Sequence, residues 1–383
     1  MIFETVKFSD ITVNHDKKRI PLSTMERSKR QGSYRYYGAQ GVIDYIDDYI
    51  FDGKYLLIAE DGENLKSKKQ NIAQLAEGRF WVNNHAHIVQ CNERCRLEYL
   101  CFMLNSMDLS GYITGSAQPK LSQANMNNIS FEIPSVEMQD LILSVILPIE
   151  KRIATNTAIN VNLEQQAQAL FKAWFVDFEP FGGVMPDDWT ETTLGTIAAI
   201  STKSINPLKQ PDLYLEHYSI PAYDEQHYPV FEYASEVKSN KYILTNNSVM
   251  ISKLNPDTKR IWRPLCLSAN PVCSTEFIVY EAVNPKYKDY IYSLIDSQAF
   301  SDYLCAHTTG STNSRQRATP KTTLDYTCIM PSDDIITRFC GIVTPMYDQI
   351  ASNITESQRL AALRDTLLPK LMNGEIDVSA VRI

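Results

Sequence analysis

Histidines, thiols, carboxylates and amides that could do chemistry are scattered along this 383-residue chain, and their spacing supports little catalysis. His85 and His87 alternate on one face of an expected strand, as two metal ligands would. With six histidines in all and no carboxylate at ligand spacing, no metal centre is expected. Eight cysteines lie without a C-x-x-C pair or regular spacing, so they read as reduced thiols, Cys91 and Cys95 among them as core residues. Asp61-Gly-Glu63 holds two carboxylates but reads better as a solvated turn. No G-x-G-x-x-G or P-loop is present to cradle a nucleotide. The Asn-Pro pairs at 206, 255, 270 and 284 lack the second proline and aromatic of an amino-methyltransferase site. No catalytic residue is assigned, no cofactor is expected, and the chain alone does not read as an enzyme.

Nucleic-acid contacts fare better. The polar segment Gly310-Ser-Thr-Asn-Ser-Arg-Gln-Arg-Ala-Thr-Pro-Lys321 carries Asn313, Arg315, Gln316, Arg317 and Lys321, types that read guanine and adenine edges and clamp phosphates. Gly115-Ser-Ala-Gln-Pro-Lys-Leu-Ser-Gln123 offers Gln118, Lys120 and Gln123, and a third stretch adds Lys253, Asn255, Lys259, Arg260 and Arg263. A net charge of −8 argues against indiscriminate binding, yet acid is spread and base is bunched, so a local basic groove remains open. A solvated loop is the bland reading of each segment. Similar loops ahead of two similar helices favour a function.

The elements that must position these loops emerge when the chain is laid over itself. Pro134-Ser135 and Pro331-Ser332 are 197 residues apart, and at that one offset Ile142 falls on Phe339, Pro148 on Pro345, Asn156 on Asn353 and Leu163 on Leu360. A weaker echo relates Phe3–Ile11 to Trp189–Ile197. Both helical stretches step by four and three. The first seam is Ile142, Ile146, Ile149, Ile153, Asn156, Asn160, Leu163, Ala167, Leu170 and Trp174. The second is Phe339, Val343, Met346, Ile350, Asn353, Ser357, Leu360, Arg364, Leu367 and Leu371. A 3.5-residue step describes a coiled-coil seam, and two copies of one device imply an antiparallel pair in which Asn156 meets Asn353. Pro148 and Pro345 are expected to kink the helices or start their regular part. The apolar helix ends, Leu170, Trp174, Phe175 and Phe178 with Leu367 and Leu371, are candidates for partner docking, with a local core role as the alternative.

The expected fold is α+β: two similar mixed α/β domains, 1–134 and 186–331, each followed by a long helix, 135–185 and 332–383, the last with a short tail. Expected strands cover 43–51, 54–59, 80–89, 248–253 and 276–280; expected helices cover 97–107 and 287–304. No run of about 18 apolar residues suggests a membrane span. The N-terminus lacks a charged-then-apolar leader, so a cytoplasmic location is expected.

At these residues the sequence resembles the DNA-specificity (S) subunits of type I restriction-modification enzymes. The carriers are Gly115 to Asn125, Gln168-Ala-Leu-Phe-Lys-Ala-Trp-Phe-Val-Asp-Phe178 and Arg364-Asp-Thr-Leu-Leu-Pro-Lys-Leu-Met-Asn-Gly-Glu-Ile-Asp377. Tyr37-Gly-Ala-Gln-Gly41 and Phe80-Trp-Val-Asn-Asn-His85 resemble the family's first half. The resemblance implies a non-catalytic reader of a bipartite, asymmetric target. Its two target-recognition domains would be held apart by the helices, and it would dock two methyltransferase subunits and, in a full complex, restriction subunits. Little chain precedes the first reader, which departs from any arrangement with an N-terminal extension on the second helix. A coiled-coil protein-interaction scaffold without DNA specificity is the competing reading; a metal-dependent hydrolase or nuclease lacks its constellation.

Overall fold

The computed structural model describes residues 2–116, 118–309 and 316–378. Two units divide the chain: Met1–Arg152 with Arg359–Ile383, and Ile153–Gln358. Each therefore holds one sheet-rich domain and part of each long helix.

In the first unit, β1 (Phe3–Lys7) pairs antiparallel with β8 (Ser130–Pro134), the strand that leads into the first long helix. Between them, β2 (Thr12–Asn14), β3 (Gln31–Gly38), β4 (Gly41–Ile46), β5 (Phe51–Ala59), β6 (Ala73–Val82) and β7 (Ala86–Cys91) form one sheet, in the order β2-β7-β5-β6-β3-β4. Only the β3–β6 pair is parallel. Alternation along β5 sends Leu56 and Ile58 into the core beneath the long helices and Leu57 into a second core around Phe51 and Phe80.

The second unit opens in the same frame. β9 (Thr190–Thr193) pairs with the last strand, Thr327–Met330, and the short helices Phe8–Ile11 and Leu194–Ile197 follow β1 and β9 alike. β10 (Ala198–Ile200) lies on Phe277–Ala282 as β2 lies on β7. The middles then diverge. Where the first domain has a single six-stranded sheet, the second has a four-stranded and a five-stranded sheet. Alternation again splits the core: Val249 and Ile251 face the helices, whereas Met250 faces Tyr218 and Trp262.

Three expected elements are broken: the stretch 43–51 ends as a strand at Ile46 and its last residue, Phe51, opens β5, and two others are interrupted by local side chains. The stretch 80–89 is not one strand, because Asn83 Oδ1 accepts the His85 N–H at 2.8 Å and closes a turn; His85 sits exposed in the turn and His87 is buried in β7. The stretch 287–304 is two helices, Lys288–Asp296 and Gln298–Ala306. Ser297 between them caps the second, accepting the Phe300 N–H at 3.2 Å.

The long helices run Val136–Phe175 and Asp333–Met372. Each begins after a serine, with acidic residues in its first turn, Glu137 in one and Asp333 and Asp334 in the other, matching the positive end of the helix dipole. Pro148 and Pro345 lie a dozen residues inside, so they do not start the helices; both face solvent. In the first unit Ile142, Leu143 and Ile146 share a core with Leu371 and Met372, and Arg364 pairs with Glu150 at 2.8 Å. In the second, Phe171 and Phe175 lie 6.1 and 5.0 Å from Phe339 by ring centroid. Within each unit the start of one helix lies beside the end of the other, which is antiparallel pairing. The protein is α+β, with two similar sheet-rich halves, each followed by a long helix.

None of the twenty seam positions is exposed. At the middle, Asn156 and Asn353 are buried. Asn156 Nδ2 donates to the Asn353 carbonyl (3.4 Å), Glu356 Oε2 (2.7 Å) and Ser357 Oγ (3.2 Å), while Asn353 Nδ2 donates to Asn160 Oδ1 at 2.8 Å. Asn156 Oδ1 has no partner among the described residues. An orphaned buried acceptor costs about 1–3 kcal/mol, and a polar pair in a seam trades stability for register. The double variant Asn156→Leu/Asn353→Leu is therefore expected to melt at a higher temperature than the parent, and Asn353→Leu alone at a lower one. An unchanged or lower melting temperature for the double variant would count against this account.

Candidate nucleic-acid interface

Both halves seat a polar loop on the end of a central strand, and they do so with the same bonds. In the first half Glu60 follows β5. Its N–H donates to the His85 carbonyl (2.9 Å), its carbonyl accepts from Leu121 (2.8 Å), and the Gly62 N–H donates to the Pro119 carbonyl (3.2 Å). In the second half Lys253 follows Ser248–Ser252. Its N–H donates to Glu276 (2.9 Å), its carbonyl accepts from Ala318 (2.9 Å), and the Asn255 N–H donates to Gln316 (2.9 Å). Bridges Asp61–Lys120 and Leu254–Arg317 complete the match. Lys120 and Arg317 are thus equivalent, at the offset of 197 already found in the helices. The offset set by Pro134 and Pro331 pairs Lys120 with Arg317 directly.

What surrounds that frame differs. In the first half His87 Nδ1 lies 2.6 Å from Asp16 Oδ2 and its Nε2 2.8 Å from the Leu121 carbonyl, so both ring nitrogens have polar partners. Arg19 reaches Glu60 at 2.8 Å, and Lys120 reaches the other Glu60 oxygen at 3.1 Å. Burial opposes ionisation of Asp16, but hydrogen bonds from His87 and the Ile88 N–H outweigh it and hold the carboxyl below its usual range. Glu60 is half-buried, and Arg19, His87 and Lys120 together hold its carboxyl low against that partial burial. Donor atoms of Asp16, Glu60 and His87 lie within 4.8 Å of one another, as metal ligands would. With Arg19 and Lys120 balancing the carboxylates, the group reads as an ion-pair cluster that ties the loop to the sheet. Sequence reading missed it because its members come from four separate segments. In the second half β18 (Phe277–Ala282), reached after β11 (Ser204–Ile205), β12 (Tyr214–Tyr218), β13 (Val230–Tyr233), β14 (Lys241–Ile243), β15 (Ser248–Ser252), β16 (Ile261–Trp262) and β17 (Pro271–Ser274), puts apolar Ile278 in the place of His87.

The other expected contact residues divide into free and committed. Gln118 and Gln123 are exposed beside Lys120, and Lys321 is exposed on the short helix Pro320–Thr323. Gln316 and Lys253 are half-buried at the strand end. Asn255 holds a left-handed φ of 48° there, its Oδ1 buried without a partner among the described residues. Arg317 is exposed and pairs with Glu276 at 3.0 Å. Lys259 is held by Asp296, Arg260 is bidentate to Asp224 (2.6 and 2.9 Å), and Arg263 binds Asp289 and Asp348. Much of the bunched base is therefore matched by acid from distant sequence. Asn313 and Arg315 lie outside the described residues.

The apolar helix ends are mostly internal. Phe175 and Leu371 are buried, so they serve the core rather than a partner surface. Phe175 packs between Trp189, Tyr290 and Phe339 because the helix end must cover the sheet of its own unit. Leu170, Trp174 and Phe178 pack against the same core, and Leu367 against the core of the first unit.

Residues 3–165 match the family model of the type I restriction modification DNA specificity domain. A putative type I restriction enzyme specificity subunit of Haemophilus influenzae is 32% identical over 134 residues, 35% of this chain and about a third (33%) of that relative. The HindI specificity subunit of the same species is 25% identical over a 418-residue alignment covering 88% of this chain and 87% of its own. Similarity to type I specificity subunits is thus found in the family model over residues 3–165 and in relatives that span most of the chain. The MjaIX specificity subunit of Methanocaldococcus jannaschii is 26% identical over 314 residues, 73% of this chain and 69% of that relative. The crystal structure of a type I S subunit from M. genitalium has the same fold, with a TM-score of 0.62 at 14% identity over 96% of both chains. Among the described residues no helix is long and apolar enough to cross a membrane.

The lowered carboxyls of Asp16 and Glu60 set an acid limit. Each contributes stability that is present above its unfolded value, about 4 for Asp and Glu, and that is lost as pH falls through the lower folded value. The parent is expected to lose stability steeply below about pH 4, and Asp16→Asn/Glu60→Gln to start less stable near neutrality with a flatter acid limb. Urea unfolding across pH 3–7 checks this; parallel curves would refute it.

Proposed function

We propose that this chain is the DNA-reading, non-catalytic subunit of a cytoplasmic type I restriction-modification complex. It takes double-stranded DNA through target-recognition domains at 1–134 and 186–331, and the helical segments 135–185 and 332–383 act as the spacer. The observation that carries the reading is the pair of equivalent strand-end loops, bonded alike but furnished with different side chains. A bipartite, asymmetric target needs two readers built alike and tuned apart. Similarity to type I specificity subunits supports DNA specificity and points to methyltransferase subunits, expected as two, and to restriction subunits in a full complex. Exposed Gln118, Lys120, Gln123, Arg317 and Lys321 are proposed to face DNA. The half-buried Lys253, Asn255 and Gln316, with the committed Lys259 and Arg260, hold the second loop or meet phosphates. Asn313 and Arg315 are proposed as readers on the same loop. Acidity overall fits a subunit whose partners supply much of the phosphate contact. Docking of the partners is proposed along the helical spacer, around Leu170, Trp174, Phe178 and Leu367.

Methylation of a random DNA library by the chain reconstituted with its methyltransferase tests the whole reading; methylation without sequence preference would favour a scaffold instead. In the same assay Lys120→Ala is expected to relax one half-site and Arg317→Ala the other, by about 1–3 kcal/mol per lost bidentate contact. Uniform weakening over all sequences would make these residues phosphate clamps. A second variant tests the spacer. Seven residues inserted after Asn156 and seven before Asn353 add about 10 Å of helix and are expected to widen the gap between half-sites by about three base pairs at ~3.4 Å each. An unchanged gap would sink the measuring role.

A further inference from the structure

Within the second unit a cavity of about 260 Å³ opens between the two long helices and the sheet-rich domain, with Lys259 as its one wall residue from the proposed DNA-reading set. Its walls are aromatic and stand at right angles. The rings of Tyr223 and Trp262 lie 5.2 Å apart at 83°, and those of Tyr292 and Tyr347 lie 4.9 Å apart at 85°. Perpendicular walls make a box. A planar heterocycle such as a base needs parallel faces to stack on, whereas a compact group fills a box. The volume is also below the range of about 300–1,000 Å³ usual for larger ligands.

Charge selects the kind of compact group. Asp296 is neutralised by Lys259 and accepts from Gln168 Nε2 at 2.7 Å. Arg263 is spent on Asp289 and Asp348. Burial holds His227 below its usual value, against the pull of Asp224, so it adds no positive charge near neutral pH. Glu164 on the first long helix is left over: it accepts no hydrogen bond and forms no ion pair among the described residues. Glu164 is exposed at the cavity rim, where desolvation and then the nearby Asp296 push its carboxyl above the ordinary range, with Lys259 opposing. An uncompensated carboxylate beside an aromatic box is the arrangement that attracts ammonium groups, since ring faces carry negative potential.

We infer that this cavity binds a small organic ammonium ion, enclosed by Tyr223, Trp262, Tyr292 and Tyr347 and balanced by Glu164. Either the lysine side chain of a partner protein or a free polyamine could supply that chemistry. Calorimetric titration of the full chain with choline and with 3,3-dimethylbutan-1-ol, its uncharged isostere, tests the inference. Choline is expected to bind at least tenfold more tightly than the isostere. Glu164→Gln is expected to cut choline affinity at least tenfold without lowering the melting temperature of the free chain. Parallel titrations with Nα-acetyl-lysine methylamide and with spermidine separate the sources, the tighter of the two naming it. Equal binding of choline and its isostere, no binding of any amine, or full choline affinity in Glu164→Gln would overturn the inference.

Discussion

The antiparallel seam between two forty-residue helices is the constraint from which the rest of the structure follows. In each unit the beginning of one helix must lie beside the end of the other, so a domain attached ahead of either helix meets both of them. Ile142 and Ile146 meet Leu371 in one unit, and Phe339 and Val343 meet Ala167 and Phe171 in the other. Apolar contact alone would tolerate sliding by a heptad. The Asn156–Asn353 pair removes that freedom, because a shifted register would leave more amide groups without partners in a dry seam.

The two domains obey the same economy. Their frames are kept where they touch the helices: an N-terminal strand paired with the strand that enters the long helix, a short helix, and a central strand whose end receives a polar loop. Their contents diverge where nothing packs on a helix. The first domain fastens its loop with partly buried charge, Asp16, Glu60 and His87 against Arg19 and the exposed Lys120, and the second with backbone bonds around Lys253 and an exposed Arg317–Glu276 pair. Buried ion pairs depend on every member being present. The two loops therefore share a geometry without sharing a chemistry.

Charge shows how far a linear reading goes. Basic clusters are plain in the sequence, yet Lys259, Arg260 and Arg263 each find a carboxylate from a segment far along the chain. A cluster of like residues in sequence is a cluster in space only if no acid folds against it. That pairing is a tertiary fact.

The repeat, the two seams, the central asparagines and the strand–helix order were all legible in the sequence, because periodicity and register are properties of a one-dimensional chain. Local breaks were half legible: Asn83 and Ser297 are ordinary turn and cap residues whose role needed a neighbour in place. The cluster around His87, the core duty of Phe175 and Leu371, and the box around Glu164 belong to the tertiary structure alone. Each depends on side chains brought within a few ångströms from distant segments. A side chain's role there follows from burial and from the charge opposite it, neither of which its place in the sequence records.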